Sequence, residues 1–441
     1  MTFSSAGRSA SRPPRLLQSI TGFALSFTKG RARSTITKNL ISLSLLQYAS
    51  YIFPLITVSY LARVIGVSRF GLVAFAQAIV GYFGILVNYG FSYSATRQVT
   101  IQREDHERLA QIFSQVMWAK ILLAMLGFIV LVPLIFIMPR YRHESLLFLA
   151  SYTIVIGSVF TSEWFFQGME EMKYITIAGL VSRGVATALV FVVVRHAADY
   201  VLVPLLAGLG TIVGGLTGQW IIWKKYRIGI GALLLDGVWL QLREGVDTFL
   251  SMGFISLYTT SNVFLLGLLT TPTDVGYYSA AEKVVSGVRS LWGPIPQVLF
   301  PHFSKAYNRD IQSAKRQLRT VLLLTAGATL LLSLAGCVGA PLIVRHYLGP
   351  GFGKSTRIIQ IMIFTVFIVG INNVLGAQGL LANGENRALR NIVMISGVLN
   401  ILLLILLVRM FGVIGPAISV VLIELLIFIG EWVVLKRKGL L

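Results

Sequence analysis

The feature that most constrains this chain is a series of twelve apolar stretches, each close to the length of one membrane crossing. A helix needs roughly 20 apolar residues to cross a hydrocarbon core of about 30 Å. Lipid offers the backbone no hydrogen bonds, so stretches of this kind must be helical. The predicted spans are residues 40–62, 72–95, 116–138, 145–166, 175–194, 200–222, 246–270, 284–304, 320–344, 358–382, 392–410 and 412–435. We therefore expect an all-α integral membrane protein with about 12 transmembrane helices.

Composition agrees with this expectation and excludes three other classes of protein. The 441 residues are 55% hydrophobic and only 12% charged, whereas a soluble domain carries about 25% charged residues. A soluble enzyme, a disordered chain and a coiled coil are thereby excluded. The formal net charge of +21 is compatible with nucleic-acid binding when it is taken alone, so the positions of the charges have to be considered.

The positive charges lie mainly on one side of the predicted membrane. With the N-terminus inside, 25 of the 38 Lys and Arg residues fall on the inner side, ten on the outer side and three within spans. Cytoplasmic loops carry an excess of Lys and Arg. The split predicts that both termini are cytoplasmic, which requires an even number of spans. The net charge is therefore mainly a record of topology, and no nucleic-acid partner is expected.

A weak internal repeat divides the chain into two halves. Phe70–Val80 and Val275–Val285 align at a constant offset of 205 residues, which matches Gly71 with Gly276 and places Gln77 opposite Glu282. Two six-helix bundles around a midplane site suit alternating access. The predicted units are a basic cytoplasmic tail (1–38), a first bundle (39–223), a cytoplasmic linker (224–245), a second bundle (246–435) and a second basic tail (436–441).

Motifs for cofactors or metals are absent from the sequence. Gly349–Thr356 resembles a nucleotide-binding loop, but Leu348 stands where the motif requires its first glycine. We interpret the segment as a glycine-rich turn. The single cysteine, Cys337, forms neither an internal disulfide nor a cysteine-based metal site. No two histidines have the spacing of metal ligands. We expect no metal and no cofactor.

Basic residues within or beside the spans are candidates for binding an anion. Arg183 and Arg289 lie mid-span, Lys120 lies in the inner third of its span, and Arg97 lies just past an inner end. A charge near a helix centre is costly and usually faces a cavity or a partner. Such groups bind a pyrophosphate by charge-assisted hydrogen bonds. The alternatives are snorkelling to the interface for Lys120 and Arg97, and buried ion pairs for Arg183 and Arg289.

Four acidic residues lie in or near spans, and Glu424 is predicted to be the deepest of them. The others are Glu163, Asp247 and Glu282. A carboxylate in a partly dry cavity can carry a coupling proton, although structural pairing with an arginine is an equal alternative for each.

The eighth span contains two prolines, Pro294 and Pro296. Proline removes backbone donors and kinks a helix, and such breaks often mark sites or hinges in transporters. The sequence therefore predicts a hinge at this position.

Several segments together resemble the Wzx-type O-antigen and polysaccharide flippases. This family belongs to the superfamily that includes the multidrug and toxin extruders and the lipid II flippase. The resemblance extends from about Asn39 to the C-terminus. The segments that carry it are Tyr60–Gly66, Phe70–Ala76, Asn88–Arg97, Glu163–Gly168, Met172–Thr176, Val275–Lys283 and Asn373–Leu380.

The resemblance implies two six-helix bundles around a central cationic cavity. It also implies a substrate, an undecaprenyl-pyrophosphate-linked oligosaccharide carried across the bacterial inner membrane, with a proton or sodium ion as the coupling ion. Membrane lipid, a polysaccharide polymerase and a chain-length regulator are the other expected partners. On this reading Arg183 and Arg289 are the main substrate-binding candidates, and Arg97, Lys120 and Arg63 are secondary ones. Glu424, Glu163, Glu282 and Asp247 are candidates for ion coupling.

Three alternatives remain open at this point. A cation antiporter of the extruder type shares the two-bundle plan but needs an acidic cavity. A polysaccharide polymerase or ligase needs a large outer loop, and the longest predicted one is only Arg345–Arg357. A membrane scaffold has no need of charges deep within its spans.

Overall fold

The computed structural model describes the backbone of residues 31–292 and 294–440. Side chains are described from residue 52 onward, apart from residue 140 and several positions between 251 and 308. Most of the predicted basic tail, residues 1–38, lies outside the described residues. The described backbone is mostly helical and contains no strand.

Fifteen α-helices are numbered here in chain order. The first seven are α1 (Arg31–Asn88), α2 (Ser94–Ile101), α3 (His106–Ile137), α4 (Ser145–Phe160), α5 (Glu163–Gly168), α6 (Met172–Val193) and α7 (Leu202–Tyr226). The others are α8 (Leu235–Leu269), α9 (Pro272–Ser290), α10 (Pro294–Arg309), α11 (Ile311–Ile343), α12 (Ser355–Met362), α13 (Phe364–Asn373), α14 (Asn386–Phe411) and α15 (Gly415–Arg437). A π-helical segment, Val374–Leu380, continues α13.

Helix α1 contains the first predicted span, 40–62, and most of the second, 72–95. A kink at Gly66, whose φ is 73°, stands between them in place of a loop. Glycine adopts a positive φ readily since it has no Cβ. The two arms of α1 on either side of Gly66 therefore act as two helices joined by a one-residue kink.

The predicted eighth span is broken into α9 and α10. Helix α9 begins twelve residues earlier than predicted, because Pro272 occupies its first turn and the Thr271 hydroxyl accepts a hydrogen bond from the Asp274 backbone N–H at 3.2 Å. This capping arrangement stabilises a helix start. The helix ends at Ser290, and α10 begins at Pro294. The interruption falls at the predicted pair of prolines.

Eight helical stretches among the described residues are long and apolar enough to cross a membrane. One of them, Asn386–Arg437, is 52 residues long and contains both α14 and α15, joined by a short 3₁₀ turn. Helix α8 contributes only a shorter apolar part, Thr260–Leu269. The structure is thus that of an all-helical, multi-pass membrane protein, and the number of twelve spans stays a prediction.

The two halves of the chain share a hydrophobic core at one end of the molecule. One cluster of buried side chains joins helices of the first half to α9, α12 and the segment around Leu348. We call this the gate end; it contains the Gly66 kink and the start of α9. A separate cluster, centred on Phe303, Leu375 and Leu435, contains only second-half residues. It lies towards the opposite end, called the linker end, where residues 227–234 join α7 to α8.

Candidate functional site

A cavity of about 370 Å³ lies between the two halves. Helix α1 lines one side of it with Pro54 and Gln77, and the second half lines the other with Thr260 from α8 and Glu282 from α9. Lys283, Ser279 and Ser286 add further polar groups to the wall. We call this space the central cavity, because residues of both halves border it.

Gln77 and Glu282, which the internal repeat aligns, lie at the junctions of the central cavity with its neighbours. Gln77 also lines a first-half cavity of about 430 Å³, together with Asn88 and Ser158. Glu282 also lines a second-half cavity of about 270 Å³. The two aligned positions thus occupy corresponding places in the two halves, which agrees with the repeat seen in the sequence.

The second-half cavity places Arg289 with two carboxylates, Glu282 and Glu424. Arg289 is half-buried and lies within electrostatic range of both. Among the described side chains no carboxylate oxygen lies within the 4.0 Å of an ion pair from it. No carboxylate among the described residues therefore neutralises the guanidinium by direct contact, and its role in binding an anion stays a prediction.

Amide side chains complete the wall of this cavity. Asn372 donates from Nδ2 to the Glu424 carboxylate at 3.0 Å. Asn400 donates to the Asn262 amide oxygen at 3.4 Å and accepts from the Ser419 hydroxyl at 3.0 Å. Amides of this kind orient a charged group and a polar ligand without adding charge.

Two of the three cavities are of mixed charge and the third has no charged lining residue, whereas the family resemblance implies a cationic cavity. The central cavity has Glu282 and Lys283, the second-half cavity has Arg289 with two glutamates, and the first-half cavity has no charged lining residue. Acids and bases alternate on the same inward face of α9, because residues seven apart such as Glu282 and Arg289 lie on one side of a helix. The net charge of the site therefore depends on whether its carboxyl groups are protonated.

Arg183 and Lys120 belong to a separate group in the first half, and both lie within electrostatic range of Glu163. Glu163 is exposed at the start of α5. Arg183 is half-buried and donates to the carbonyl of Gly179, one turn earlier, at 3.1 Å. Neither basic residue lines the three cavities described above, so the structure does not bring Arg183 together with Arg289.

Lys120 does not snorkel to the membrane interface. Its side chain is 1% exposed, and its ammonium donates to the Thr161 carbonyl at 2.8 Å and to the Thr161 hydroxyl at 3.3 Å. These bonds join α3 to the bend between α4 and α5. The ammonium thus already has protein partners at that bend.

The other predicted residues lie at the two ends of the molecule. Arg63 is exposed at the gate end, where its guanidinium donates to the carbonyl of His346. Arg97 on α2 and Asp247 on α8 are exposed at the linker end. None of these three lines a cavity described above.

Direct contacts close the gate end between the halves. A Cβ atom added to Gly71 would lie 1.8 Å from the Pro272 carbonyl oxygen, and one added to Gly276 would lie 2.0 Å from that of Val67. The Ser59 hydroxyl donates to the Tyr347 carbonyl at 2.6 Å, and the Tyr141 hydroxyl donates to the Gly267 carbonyl at 2.7 Å. The two halves are therefore in direct contact at the gate end in this conformation.

At the linker end the halves meet through the first part of α8. Gln241 donates to Gln98 at 2.9 Å and to Gln115 at 3.0 Å. The Phe249 ring stacks on Tyr89 with centroids 4.5 Å apart. The predicted linker, 224–245, therefore includes the start of a helix that packs on the first half.

Pro296 contacts the second half's core through its backbone carbonyl. Its carbonyl accepts a hydrogen bond from Gln378 Nε2 at 2.8 Å, so the broken helix contacts the π-helical segment.

Glu431 is not among the residues predicted from the sequence. Its side chain is 2% exposed and therefore more buried than that of the half-buried Glu424. A signal for it exists, because 424 and 431 are seven residues apart and share a helix face.

Comparison with known proteins gives relatives over most of the chain. Residues 36–307 match the family described as "Polysaccharide biosynthesis protein". A protein of Escherichia coli (strain K12) is 30% identical over 89% of this chain and 95% of its own length, and one of Shigella dysenteriae is 27% identical over 88% and 97%. Both carry the description "Putative O-antigen transporter".

Solved structures of transporters share the fold. The lipid II flippase MurJ in an inward closed conformation has a TM-score of 0.68 at 16% identity, covering 90% of this chain and 87% of its own. An inward-facing multidrug transporter of the MATE family has a TM-score of 0.67 at 14% identity, covering 91% and 98%. An outward-facing MATE structure has a TM-score of 0.58 at 14% identity, covering 94% and 98%.

Proposed function

This chain belongs to the polysaccharide biosynthesis protein family, whose relatives here are transporters and flippases rather than enzymes, and on that premise we propose that it flips a lipid-linked glycan. The proposed substrate is an undecaprenyl-pyrophosphate-linked oligosaccharide, an O-antigen or exopolysaccharide repeat unit. The membrane is the bacterial inner membrane. A glycan on a pyrophosphate needs a polar path, while its lipid tail stays in the bilayer.

The single observation that carries the proposal is the arrangement around the central cavity. Polar side chains of both halves line it, and the gate end is closed by backbone contact at Gly71 and Gly276. We assign the gate end to the outer side and the linker end to the cytoplasm, following the Lys and Arg distribution. The higher TM-scores with inward conformations than with an outward one support an inward state. Twelve spans in two six-helix bundles and alternating access complete the proposal.

Arg289 is the principal proposed contact for the pyrophosphate or an acidic sugar. It lies in a cavity and has no ion-pair partner within 4.0 Å among the described residues. The secondary contacts are Arg183, Arg97 and Arg63. These residues reach the substrate only after a change of conformation. Lys120 is the weakest of the five, because Thr161 already binds its ammonium.

Ion coupling is assigned to the carboxyl groups, with a proton or sodium ion as the coupling ion. Glu282 and Glu424 are the principal groups, because both share the cavity of Arg289. Neutralising them leaves the arginine as the dominant charge, so ion binding changes the affinity for an anion. Glu163 has the same relation to Arg183 in the first half. The proposal also includes Asp247, at the linker end, as an ion-coupling group. It further includes a hinge at Pro294 and Pro296.

The test is complementation of a strain that lacks this gene, with the wild type and with Arg289→Ala. We expect the mutant protein to insert at a normal level, while lipid-linked glycan accumulates on the cytoplasmic face. Arg409→Ala is a matched control, because this exposed arginine ends α14 away from the cavities. Normal surface glycan in the Arg289→Ala strain would contradict the assignment of this residue.

A cation antiporter of the multidrug extruder type is the second candidate. It is favoured by the presence of two glutamates in the Arg289 cavity and by the shared fold. Normal glycan together with increased drug sensitivity in the deletion strain would support this alternative.

A further inference from the structure

Glu431 is a buried carboxyl group pressed against the backbone of the π-helical segment. Its side chain is 2% exposed. A Cβ atom added to Gly376 would lie 2.7 Å from Glu431 Oε1, so only glycine leaves room for the carboxyl. Glu431 Oε2 has no hydrogen-bond partner among the described residues. A buried polar atom of this kind needs a bound hydrogen or cation to offset its lost hydration.

Glu431 forms no ion pair within 4.0 Å among the described residues. The π-helical segment, Val374–Leu380, contains no titratable residue. From α14 the nearby side chain is Leu389, while Arg387 and Arg390 are exposed. On α10, His302 and Lys305 are exposed, and His302 pairs with Gln317. Beyond the end of α15, Lys438 forms its ion pair with Glu385 at 2.8 Å. An ionised Glu431 would thus be a buried charge without a partner, which is strongly unfavourable.

A second unsatisfied acceptor lies on the segment that packs against Glu431. Gln378 is fully buried; its Nε2 donates to the Pro296 carbonyl, and its Oε1 has no partner. A protonated carboxyl is a hydrogen-bond donor, whereas an ionised one is only an acceptor. One proton on Glu431 therefore removes the buried charge and provides a hydrogen to a region that contains surplus acceptors.

Glu431 and Glu424 form a row along α15. They are two helical turns apart, about 10 Å, on one face. Both carboxyl groups face α13 and the π-helical segment that continues it. Glu424 accepts a hydrogen bond from Asn372, and Glu431 lies against Gly376, four residues further along the chain. The row leads from the Arg289 cavity towards the linker end. Because about 10 Å exceeds the length of a direct hydrogen bond, transfer between the two carboxyl groups requires bound water or a movement of the side chains.

We propose that Glu431 holds a proton in this conformation and exchanges it with Glu424, which makes the pair a path between the Arg289 cavity and the linker end. In each exchange the proton leaves one carboxyl oxygen and binds the other, so the donor becomes a carboxylate and the acceptor a neutral acid. Release of the proton to water at the linker end requires a change of conformation that exposes Glu431, because the carboxyl is buried here. This inference rests on the proposed ion coupling, because it names a carrier for the coupling proton.

Infrared spectroscopy of the purified full-length protein tests the proton on Glu431 without any substrate. We expect the wild type at neutral pH to show a carboxylic-acid carbonyl band, part of which is lost in Glu431→Gln. Glu385→Gln is the matched control and should leave the band unchanged. Glu431→Asp should shift that component rather than remove it, which provides a second variant if Glu431→Gln folds poorly. An unchanged band in Glu431→Gln would overturn the inference.

Proteoliposomes test the path itself, with undecaprenyl pyrophosphate as the probe and a pH-sensitive dye inside. We expect Glu431→Gln to bind the probe as the wild type does and to lose most of the probe-dependent proton flux. Equal flux in Glu431→Gln and the wild type would overturn the path. Absence of glycan flipping by the wild type in cells would instead contradict the proposed function, and the infrared result does not depend on it.

Discussion

Gly71 and Gly276, 205 residues apart and equivalent in the internal repeat, meet at the gate end with their backbones in contact. A Cβ atom added to Gly71 would lie 2.6 Å from the Gly276 nitrogen as well as 1.8 Å from the Pro272 carbonyl oxygen. Side chains cannot be accommodated at such distances unless the helices shift. The closed gate therefore depends on the absence of a side chain at both aligned positions.

Gly71→Ala should shift the protein towards a conformation with an open gate end. Overpacking typically costs about 1–3 kcal/mol, which corresponds to a roughly five- to 150-fold change in the ratio of closed to open molecules. The measurement uses Ser355→Cys in a Cys337→Ala background. Ser355 is buried at the gate end, so labelling of this position by a membrane-impermeant maleimide reports an open gate end. Gly81→Ala and Gly84→Ala are the controls, because nothing lies within 4 Å of a Cβ atom there. Equal labelling of all three variants would contradict the assignment of Gly71 to a closed gate end.

Glu424→Gln should strengthen the binding of an anionic probe and slow its release. The substitution removes a negative charge from the Arg289 cavity while an amide can still accept from Asn372. For a partly exposed charge pair we expect a change of about 0.5–1 kcal/mol, or roughly two- to fivefold in affinity. Titration of the purified protein with undecaprenyl pyrophosphate measures this, and Glu385→Gln serves as the control. Weaker binding by Glu424→Gln would show that the carboxylate does not compete with the anion.

Tyr141→Phe should weaken the closed gate without creating a cavity. The hydroxyl donates to the Gly267 carbonyl across the two halves, and its loss leaves that buried acceptor unpaired. We expect a loss of about 1–3 kcal/mol, seen as a lower thermal unfolding midpoint. Tyr93→Phe is the control, because Tyr93 is 61% exposed. An unchanged midpoint for Tyr141→Phe would mean that another group, such as water, binds the carbonyl.

Lys120→Ala should reduce the amount of folded protein rather than the activity of each folded molecule. The buried ammonium holds the Thr161 carbonyl and hydroxyl, and truncating a long buried side chain costs about 2–5 kcal/mol. Export of glycan normalised to the amount of inserted protein measures the distinction. Export lost at normal protein level would instead place Lys120 in the substrate path, as the sequence alone suggests.

The helical, membrane-embedded character of the protein follows from local sequence. A stretch of about 20 apolar residues has one stable form in lipid, because every backbone group must be satisfied within the stretch. The interruption at Pro294 was predictable for the same reason, since proline lacks the N–H that a continuous helix requires. The Gly66 kink was not, because a glycine in a membrane helix is compatible with a straight course as well as with a bend.

The partners of the charged side chains depend on the tertiary structure. Arg183 and Arg289 look alike in sequence, both single arginines in apolar stretches, yet only Arg289 lines one of the described cavities. Glu431 and Glu424 lie on one helix face, yet Glu424 has an amide donor and Glu431 Oε2 has none among the described residues. The sequence by itself determined the fold class, because hydrophobic length and helix-breaking residues act locally, and the segments it shares with relatives indicated the family. The pairing of the charged side chains was decided only by packing. Coulomb interactions and desolvation depend on distances between helices that are remote in the chain.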